Sequence, residues 1–178
     1  MILGLSGYAR AGKNSVADLL GVTYMQRAFA DPMRDALLKL NPWIDSKECL
    51  ADAVDHLGWD QAKVIFPEIR RLLQVLGTEV GREMIGQSVW VDIALKCVKP
   101  NDNIVFTDVR FHNEANAIKF LGGQIWRVER PQVGAVNAHP SETAMDDWPF
   151  DQIIYNDESL EELKVQVGRI LHMAGVGV

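Results

Sequence analysis

The stretch Gly7-Tyr8-Ala9-Arg10-Ala11-Gly12-Lys13 decides how the rest of this chain is interpreted. It matches the first seven positions of the phosphate-loop pattern G-x-x-x-x-G-K-[ST] and follows the apolar run Ile2-Leu3-Gly4-Leu5. After Lys13, apolar residues recur at spacings of three and four, which predicts a helix. The motif therefore lies between a predicted strand and a predicted helix, the context that a phosphate loop requires.

The residue types of this loop suit the binding of phosphate oxygens. Glycines allow the backbone to curl so that successive N–H groups point at one anion, and the following helix adds partial positive charge. We predict that residues 7–15 bind the phosphates of a nucleotide and that Lys13 reaches the outer ones, where it also serves catalysis. The alternative is a glycine-rich turn with a solvated lysine.

The candidate magnesium ligands depart from the phosphate-loop pattern at one position. Asn14 stands where the pattern has a hydroxyl, and the hydroxyl arrives one residue later, at Ser15. Adenylate kinases also place their hydroxyl residue second after the lysine, so by that resemblance Ser15 contacts a phosphate while water holds much of the Mg²⁺. Asp108 ends a predicted strand and is expected to order Mg²⁺ or its water. A non-ligand Ser15 and a helix-capping Asp108 stay open.

Length and composition indicate one globular domain. The chain has 178 residues, of which 48% are hydrophobic and 24% charged. The formal net charge of -6 makes nucleic acid and anionic membranes poor partners. With no long apolar stretch, we expect a soluble, cytoplasmic protein, in the host cytoplasm if it is of phage origin. Cys49 and Cys97 form no CxxC pair, so both are expected to be free thiols.

Strands alternating with helices predict an α/β fold. Its sheet would have about five parallel strands, covered on both faces, with ligands at their carboxyl ends. The strands are predicted at residues 2–6, about 24–28, 103–108, 124–129 and 152–155. Ser159-x-x-Glu162 is a capping box before the last helix. Residues 130–149 have an irregular pattern, which predicts a mobile loop.

The middle of the chain has a helical pattern that is too long for a simple crossover. It runs from about 41 to 99, after a helix for which Asp31-Pro32 supplies the predicted N-cap and first-turn proline. Breaks in this helical segment are predicted at Gly58, around Pro67, at Gly77-Thr78 and at Gly86.

Arginines near predicted loop ends are candidates for phosphate binding, because a guanidinium group binds phosphate through two parallel hydrogen bonds. Any one of them can instead form a surface ion pair, and Arg127 fits that alternative best because it lies within a predicted strand. His139 and Glu142 lie in the irregular stretch, where a role in a lid and plain turn chemistry both stay open. The candidates are Arg34, Arg70, Arg71, Arg82, Arg110, Arg127 and Arg130.

Six segments, in this order behind the phosphate loop, resemble the deoxynucleoside monophosphate kinases of bacteriophages. The resemblance runs from the first strand to the last helix. The segments are Arg70-Arg71-Leu72-Leu73-Gln74-Val75-Leu76-Gly77-Thr78-Glu79, Trp90-Val91, Asp108-Val109-Arg110-Phe111-His112-Asn113-Glu114, Arg130-Pro131, His139-Pro140-Ser141-Glu142 and Asn156-Asp157-Glu158-Ser159-Leu160-Glu161-Glu162-Leu163.

The resemblance implies a three-layer P-loop kinase fold in a single domain, 1–178. Residues 1–40 and 100–178 would form its core, about 41–99 a helical acceptor-binding insertion, and about 130–149 a lid. The implied reaction is ATP + dNMP to ADP + dNDP with Mg²⁺, and both monomer and homodimer stay open.

The same resemblance implies roles for individual residues. Arg70 or Arg71 would hold the acceptor phosphate and Arg110 the transferring group, while Arg130 would enter from the lid. Asn156 would approach the adenine of ATP. Further candidates for substrate binding are Arg34, Gln74, Trp90 and Glu142, although the pattern around Trp90 is also typical of a core residue.

Two other functions compete with this one. A P-loop kinase for another small phosphorylated metabolite, such as dephospho-coenzyme A, needs the same arginines. A nucleotide-binding module without catalysis needs fewer of them, because one triphosphate does not require so many cations. A GTPase is disfavoured because the chain has no Asn-Lys-x-Asp motif.

Overall fold

Five short strands form one all-parallel sheet in the computed structural model, which describes residues 1–96, 98–135 and 139–173. The strands are β1 (Ile2–Ser6), β2 (Met25–Arg27), β3 (Ile104–Phe106), β4 (Gln124–Glu129) and β5 (Gln152–Tyr155). Their order is β2-β3-β1-β4-β5, so β1 lies in the centre. The loops after β1, β3 and β4 therefore leave the sheet at the same edge, where the sequence predicts ligand binding.

The chain divides into two compact units. The first contains the sheet and comprises Met1–Ala28 and Val98–Val178, and the second is Phe29–Cys97. The helices of the first unit are α1 (Lys13–Leu19), α6 (His112–Phe120), α7 (Pro140–Thr143) and α8 (Leu160–Met173). Those of the second are α2 (Asp31–Leu40), α3 (Leu50–Ile65), α4 (Pro67–Gln74), a π-helix (Val75–Ile85) and α5 (Val89–Leu95).

Helices cover both faces of the sheet. Leu3 and Leu5 of β1 are fully buried in one cluster with residues of α1 and α8, such as Val16 and Val167. Gly4 faces the other side, where a Cβ would lie 2.8 Å from Ile118 of α6. The alternation of side chains along β1 thus produces two cores on a central parallel sheet, which confirms the predicted three-layer α/β fold.

The second unit is helical, as predicted, with its own buried apolar cluster around Leu50 and Ile69. The predicted breaks at Gly58, before Pro67 and at Gly86 are confirmed: Gly58 has φ 70° and ψ 161°, Phe66 is extended, and the π-helix ends before Gly86. The break predicted at Gly77-Thr78 is wrong, because the π-helix continues through it.

The glycines of the π-helix allow close packing instead of ending the helix. A Cβ on Gly77 would lie 2.8 Å from the sulfur of Met33, and one on Gly81 would lie 2.4 Å from the indole of Trp90. An 11-residue π-helix is unusual, since such geometry occurs mostly as single turns. Side chains from α2 and α5 fill the space that Gly77 and Gly81 leave.

Two smaller expectations concern helix ends. Asp31 is the first residue of α2 and Ala30 is its N-cap, so the predicted capping role of Asp31 is wrong by one position. The capping box of α8 is confirmed, because Glu162 accepts hydrogen bonds from the Ser159 amide (3.0 Å) and hydroxyl (2.6 Å).

Parts of three expectations fall on residues that the structure does not describe. Residues 136–138 of the predicted lid, Cys97, and residues 174–178 of the predicted domain lie outside the described ranges. The described part of 130–149 includes α7, so it is not wholly irregular. Cys49 is a free thiol. None of the helices in the described ranges has the length and apolar character needed to cross a membrane.

Candidate active site

The phosphate loop turns sharply between β1 and α1. Gly7 has φ 132° and Gly12 has φ 104°, in the left-handed region that favours glycine. A Cβ on Gly7 would also lie 2.2 Å from the carbonyl oxygen of Val128. Arg10 has φ 68° and is exposed. The two motif glycines are therefore required by both conformation and space.

Lys13 lies against the loop that it follows. Its ammonium group donates to the carbonyl oxygens of Gly7 (2.7 Å) and Tyr8 (2.8 Å). The pKa of Lys13 is lowered to about 8, first by burial and then by the nearby charge of Arg110, while Asp108 and Glu142 act in the opposite direction. Lys13 is thus a desolvated cation beside a second cation, an arrangement suited to an anionic ligand.

Arg110 follows β3 and reaches the same region. The buried carboxylate of Glu114, in the first turn of α6, accepts hydrogen bonds from the amides of Arg110 (2.7 Å) and Phe111 (3.1 Å). The Arg110 guanidinium donates to Glu142 on α7 at 2.9 Å. The side chain of Glu142 is 3% exposed and that of Arg110 is 40% exposed, so a buried carboxylate orients an arginine that solvent still reaches.

A cleft opens beside the phosphate loop within the first unit. The walls combine backbone of the phosphate loop with charged side chains of both signs. Its charged and loop residues are Gly7, Tyr8, Ala9, Arg110, Arg127, Glu142 and Asp146. The structure thus brings together the loop, Arg110 and Glu142, which the sequence placed in three separate motifs.

Two charged residues of this cleft differ from the sequence analysis: Asp146 was not among its candidates, and Arg127 was a candidate for which a surface ion pair was favoured. Arg127 does form ion pairs, with Glu129 and Asp146, but their expected location at the surface is wrong, because Arg127 is buried and lines the cleft. The available signal was a cation in the apolar strand Gln124–Glu129, where charge is costly unless it has partners.

Asn156 contacts the loop rather than standing apart from it. Its side-chain amide donates to the carbonyl oxygen of Ala11 at 2.8 Å, and its backbone amide donates to Glu129 at 2.7 Å. A Cβ on Gly12 would lie 2.2 Å from the Asn156 side-chain nitrogen. The role of Asn156 toward adenine stays a prediction, and its observed contact is with the phosphate loop.

Ser15 and Asp108, the candidates for Mg²⁺, lie near the phosphate loop, whereas Arg130, the candidate for the lid, is exposed. Ser15 is half-buried in the first turn of α1. Asp108 acts on the pKa of Lys13, so its carboxylate lies near the ammonium group. Arg130 is exposed directly after β4. Within the described ranges, no three His, Cys, Asp or Glu side chains form a group that would hold a metal ion.

The other candidates for acceptor binding belong to the second unit. Arg34 pairs with Asp31 at 3.1 Å, while its buried Nε atom has no hydrogen-bond partner in the described part of the chain. Arg71 is 60% exposed and pairs with Glu68 at 2.6 Å. Arg70 and Gln74 are half-buried on α4.

Trp90 is largely buried in the second unit. Its indole N–H donates to the carbonyl oxygen of Gly77 at 2.8 Å, and its ring lies against Gly81. The indole is thus engaged in packing against the π-helix, in keeping with the core alternative for this position.

Comparisons with known proteins identify a family and several viral relatives. The sequence profile of the family described as "Deoxynucleotide monophosphate kinase" matches residues 61–167, which is more than half of the chain. A putative deoxynucleotide monophosphate kinase of Acanthamoeba polyphaga mimivirus is 26% identical over 185 residues, covering 94% of each chain. The deoxynucleotide monophosphate kinase of Escherichia phage RB69 is 32% identical over 131 residues, which are 70% of this chain and 50% of that protein. Its counterpart from Enterobacteria phage T4 is 31% identical over 53% of this chain and 42% of its own length. The chain therefore belongs to the deoxynucleotide monophosphate kinase family.

Proposed function

We propose that this chain transfers the terminal phosphoryl group of ATP to a deoxynucleoside 5′-monophosphate, and that the transfer takes place in the cleft beside the phosphate loop. Membership of the family makes the chain a phosphotransferase that uses ATP. The observation that best supports this location is that residues of the phosphate loop and Arg110 line the same cleft, with Arg110 close enough to Lys13 to lower its pKa. A cytoplasmic location, where both nucleotides are supplied, is part of the proposal.

The chemistry of this reaction requires cations more than it requires a base. The acceptor oxygen is already anionic, so the main barrier is the assembly of two phosphate groups in line. Arg110 lines the cleft, and Lys13 lies close enough to it for its pKa to be lowered, so both supply positive charge near the phosphate loop. Glu142 (2.9 Å) and the Ser141 carbonyl oxygen (3.5 Å) both accept from Nη1 of Arg110, so among the described residues the other N–H groups of this partly exposed side chain stay available to a phosphoryl group.

Mg²⁺ fits this site as an ion held mainly by phosphates and water. Such an ion usually takes only one or two carboxylates from the protein and keeps several waters. Asp108 is one of two carboxylates, with Glu142, that raise the pKa of Lys13, and Ser15 supplies a hydroxyl from α1. When bound, Mg²⁺ would neutralise phosphate charge. Asp108 and Ser15 would orient its water shell.

Acceptor binding is proposed for residues of the second unit. The Arg71–Glu68 pair is exposed and spans one helical turn, so it contributes little stability and exchanges readily for a phosphate. Arg34 has a buried Nε donor without a partner in the described residues, a costly arrangement that a ligand would relieve. Arg70 is the alternative to Arg71, and Arg130 is proposed to act from the lid.

Recognition of the two bases is proposed for different residues. Gln74 is assigned to the acceptor base, because its amide can both donate and accept hydrogen bonds. Trp90 contributes to the shape of that region through its packing against Gly77 and Gly81. For Asn156 we propose a role in shaping the phosphate loop through its contact with Ala11, and recognition of the adenine of ATP is the alternative.

The proposal is tested by measuring ADP formation with ATP, Mg²⁺ and a panel of acceptors. We expect turnover that depends on both Mg²⁺ and a deoxynucleoside monophosphate, with ribonucleotides and dephospho-coenzyme A as comparison acceptors. Lys13→Met should remove most turnover, whereas Lys164→Met, at an exposed position of α8, should not. If no deoxynucleoside monophosphate raises ATP turnover above background, the proposal is wrong, and turnover with dephospho-coenzyme A alone would favour the competing kinase.

A further inference from the structure

Arg127 is a cation placed on an inner strand of the sheet. Its side chain is 10% exposed, and its backbone is aligned with Ser6 of β1, the residue directly before the phosphate loop. Removing a charge from water is costly unless the charge gains good partners. The partners of Arg127 therefore indicate what this residue does.

The Arg127 guanidinium is surrounded by protein groups. The ring centroids of Tyr8 and Phe150 lie 5.2 Å and 5.3 Å from its central carbon, within the range of cation–π attraction. Its Nε atom donates to Glu129 at 3.2 Å, and its Nη2 atom donates to Asp146 at 3.0 Å. Its Nη1 atom donates to the carbonyl oxygen of Met145 at 3.3 Å. Each of the three nitrogens is engaged within the protein.

One of these partners also binds the phosphate loop. The second carboxylate oxygen of Asp146 accepts a hydrogen bond from the Tyr8 hydroxyl at 2.9 Å. Asp146 thus joins Tyr8 of the loop to Arg127 of β4, while the Tyr8 ring contacts the same guanidinium. These contacts fix the first half of the phosphate loop to the segment that follows α7.

The same segment carries the partner of Arg110. The amide of Asp146 donates to the carbonyl oxygen of Thr143 at 3.0 Å, so the Met145–Asp146 turn continues directly from α7. Glu142 lies on α7 and accepts the hydrogen bond from Arg110. When Arg127 holds the turn after α7, it also holds the carboxylate that orients Arg110.

We infer that Arg127 is a positioning residue for phosphoryl transfer: it holds the phosphate loop, through Tyr8 and Asp146, and the Glu142–Arg110 pair, through the turn after α7, in one geometry. We assign it no contact with a substrate phosphate, because each of its nitrogens donates to a protein group and its side chain is only 10% exposed. This inference rests on the proposed function, since positioning is measured by its effect on that reaction.

The test compares kcat, KM and acceptor affinity in the variants Tyr8→Phe, Asp146→Ala, Arg127→Met and the double variant Arg127→Met/Asp146→Ala. We expect kcat to fall about 3-fold for Tyr8→Phe, about 10-fold for Asp146→Ala and about 30-fold or more for Arg127→Met. These values lie in the range expected for the loss of neutral and charged hydrogen bonds. The KM for the deoxynucleoside monophosphate should stay within about twofold. The double variant should equal Arg127→Met, because residues that act as one unit are not additive.

Controls separate positioning from folding and from direct binding. Arg169→Met, at an exposed position of α8, should keep wild-type kcat. Thermal unfolding shows whether Arg127→Met folds. If this variant does not fold, the inference is tested with Tyr8→Phe and Asp146→Ala alone. Wild-type kcat in both of these variants would overturn the inference.

Calorimetric titration with a deoxynucleoside monophosphate supplies the second decisive result. A loss of about 100-fold in affinity for Arg127→Met but not for Asp146→Ala would mean that Arg127 binds the acceptor directly, which overturns the inference alone. Absence of turnover in the wild type would overturn the proposed function and this inference together, so the two failures are distinguishable.

Discussion

The affinity of the protein for ATP should fall as pH rises from 7 to 9, because ATP binds the ammonium form of Lys13. Burial and the charge of Arg110 lower the pKa of Lys13 to about 8. The protonated fraction then falls from about nine-tenths at pH 7 to about one-tenth at pH 9. This change predicts a loss of about tenfold in the association constant, or about 1.4 kcal/mol. A lysine with an ordinary pKa near 10.5 would stay charged throughout this range.

The same shift has a defined effect on folding. Because the pKa of Lys13 is lower in the folded protein than in the unfolded chain, the unfolded chain binds more protons between about pH 8 and pH 10.5. The contribution of this group to the free energy of unfolding therefore rises with pH across that window. Below pH 8 the full cost of burying the ammonium is present, so Lys13→Met should unfold at a temperature no lower than that of the wild type at pH 7.

Isothermal titration of the protein with Mg²⁺ and ATP at pH 7, 8 and 9, without acceptor, checks the first effect. Lys13→Arg is the matched control, because a guanidinium group does not titrate in this range and its affinity profile should be flat. An unchanged wild-type affinity between pH 7 and 9 would refute the reasoning. An equal fall in Lys13→Arg would refute it as well, since the titrating group would then lie elsewhere.

Three further changes test other contacts of the site. Asn156→Ala should raise the KM for ATP and the KM for GTP by the same factor, about 5- to 10-fold, because the hydrogen bond that is lost goes to Ala11 of the loop. A change in the preference for ATP over GTP would instead assign Asn156 to the adenine. Gly12→Ala should lower the free energy of unfolding, measured by chemical denaturation, by about 1 to 3 kcal/mol, since Gly12 has φ 104° and a Cβ there would clash with Asn156. Unchanged stability would contradict that geometry. Glu142→Gln should lower kcat, because Glu142 orients Arg110. It should also shift the pH midpoint of ATP binding to lower pH, because Glu142 raises the pKa of Lys13. An unchanged midpoint would argue against this electrostatic link.

Sequence alone determined the features that depend on residues close together in the chain. The phosphate loop was predictable because its glycines, its lysine and the flanking strand and helix lie within about 20 residues. The strands Gln124–Glu129 and Gln152–Tyr155 match their predicted bounds, since apolar runs between turn residues specify buried strands. The capping box at Ser159 was predictable for the same reason, because its two partners are three residues apart.

Only the tertiary structure decided which distant side chains meet and how dry their surroundings are. Arg110 and Glu142 are 32 residues apart, and Tyr8 and Asp146 are 138 apart, so no local pattern links either pair. Gly77 was predicted to break the helix because glycine has a low helix propensity. The reason for a glycine at this position is instead the sulfur of Met33, which belongs to α2 and packs against it. Arg127 looked like a surface charge because burial depends on how β1, β4 and the segment after α7 come together. Long-range packing sets desolvation and charge proximity, and those two quantities determine the chemistry of Lys13, Arg110 and Arg127.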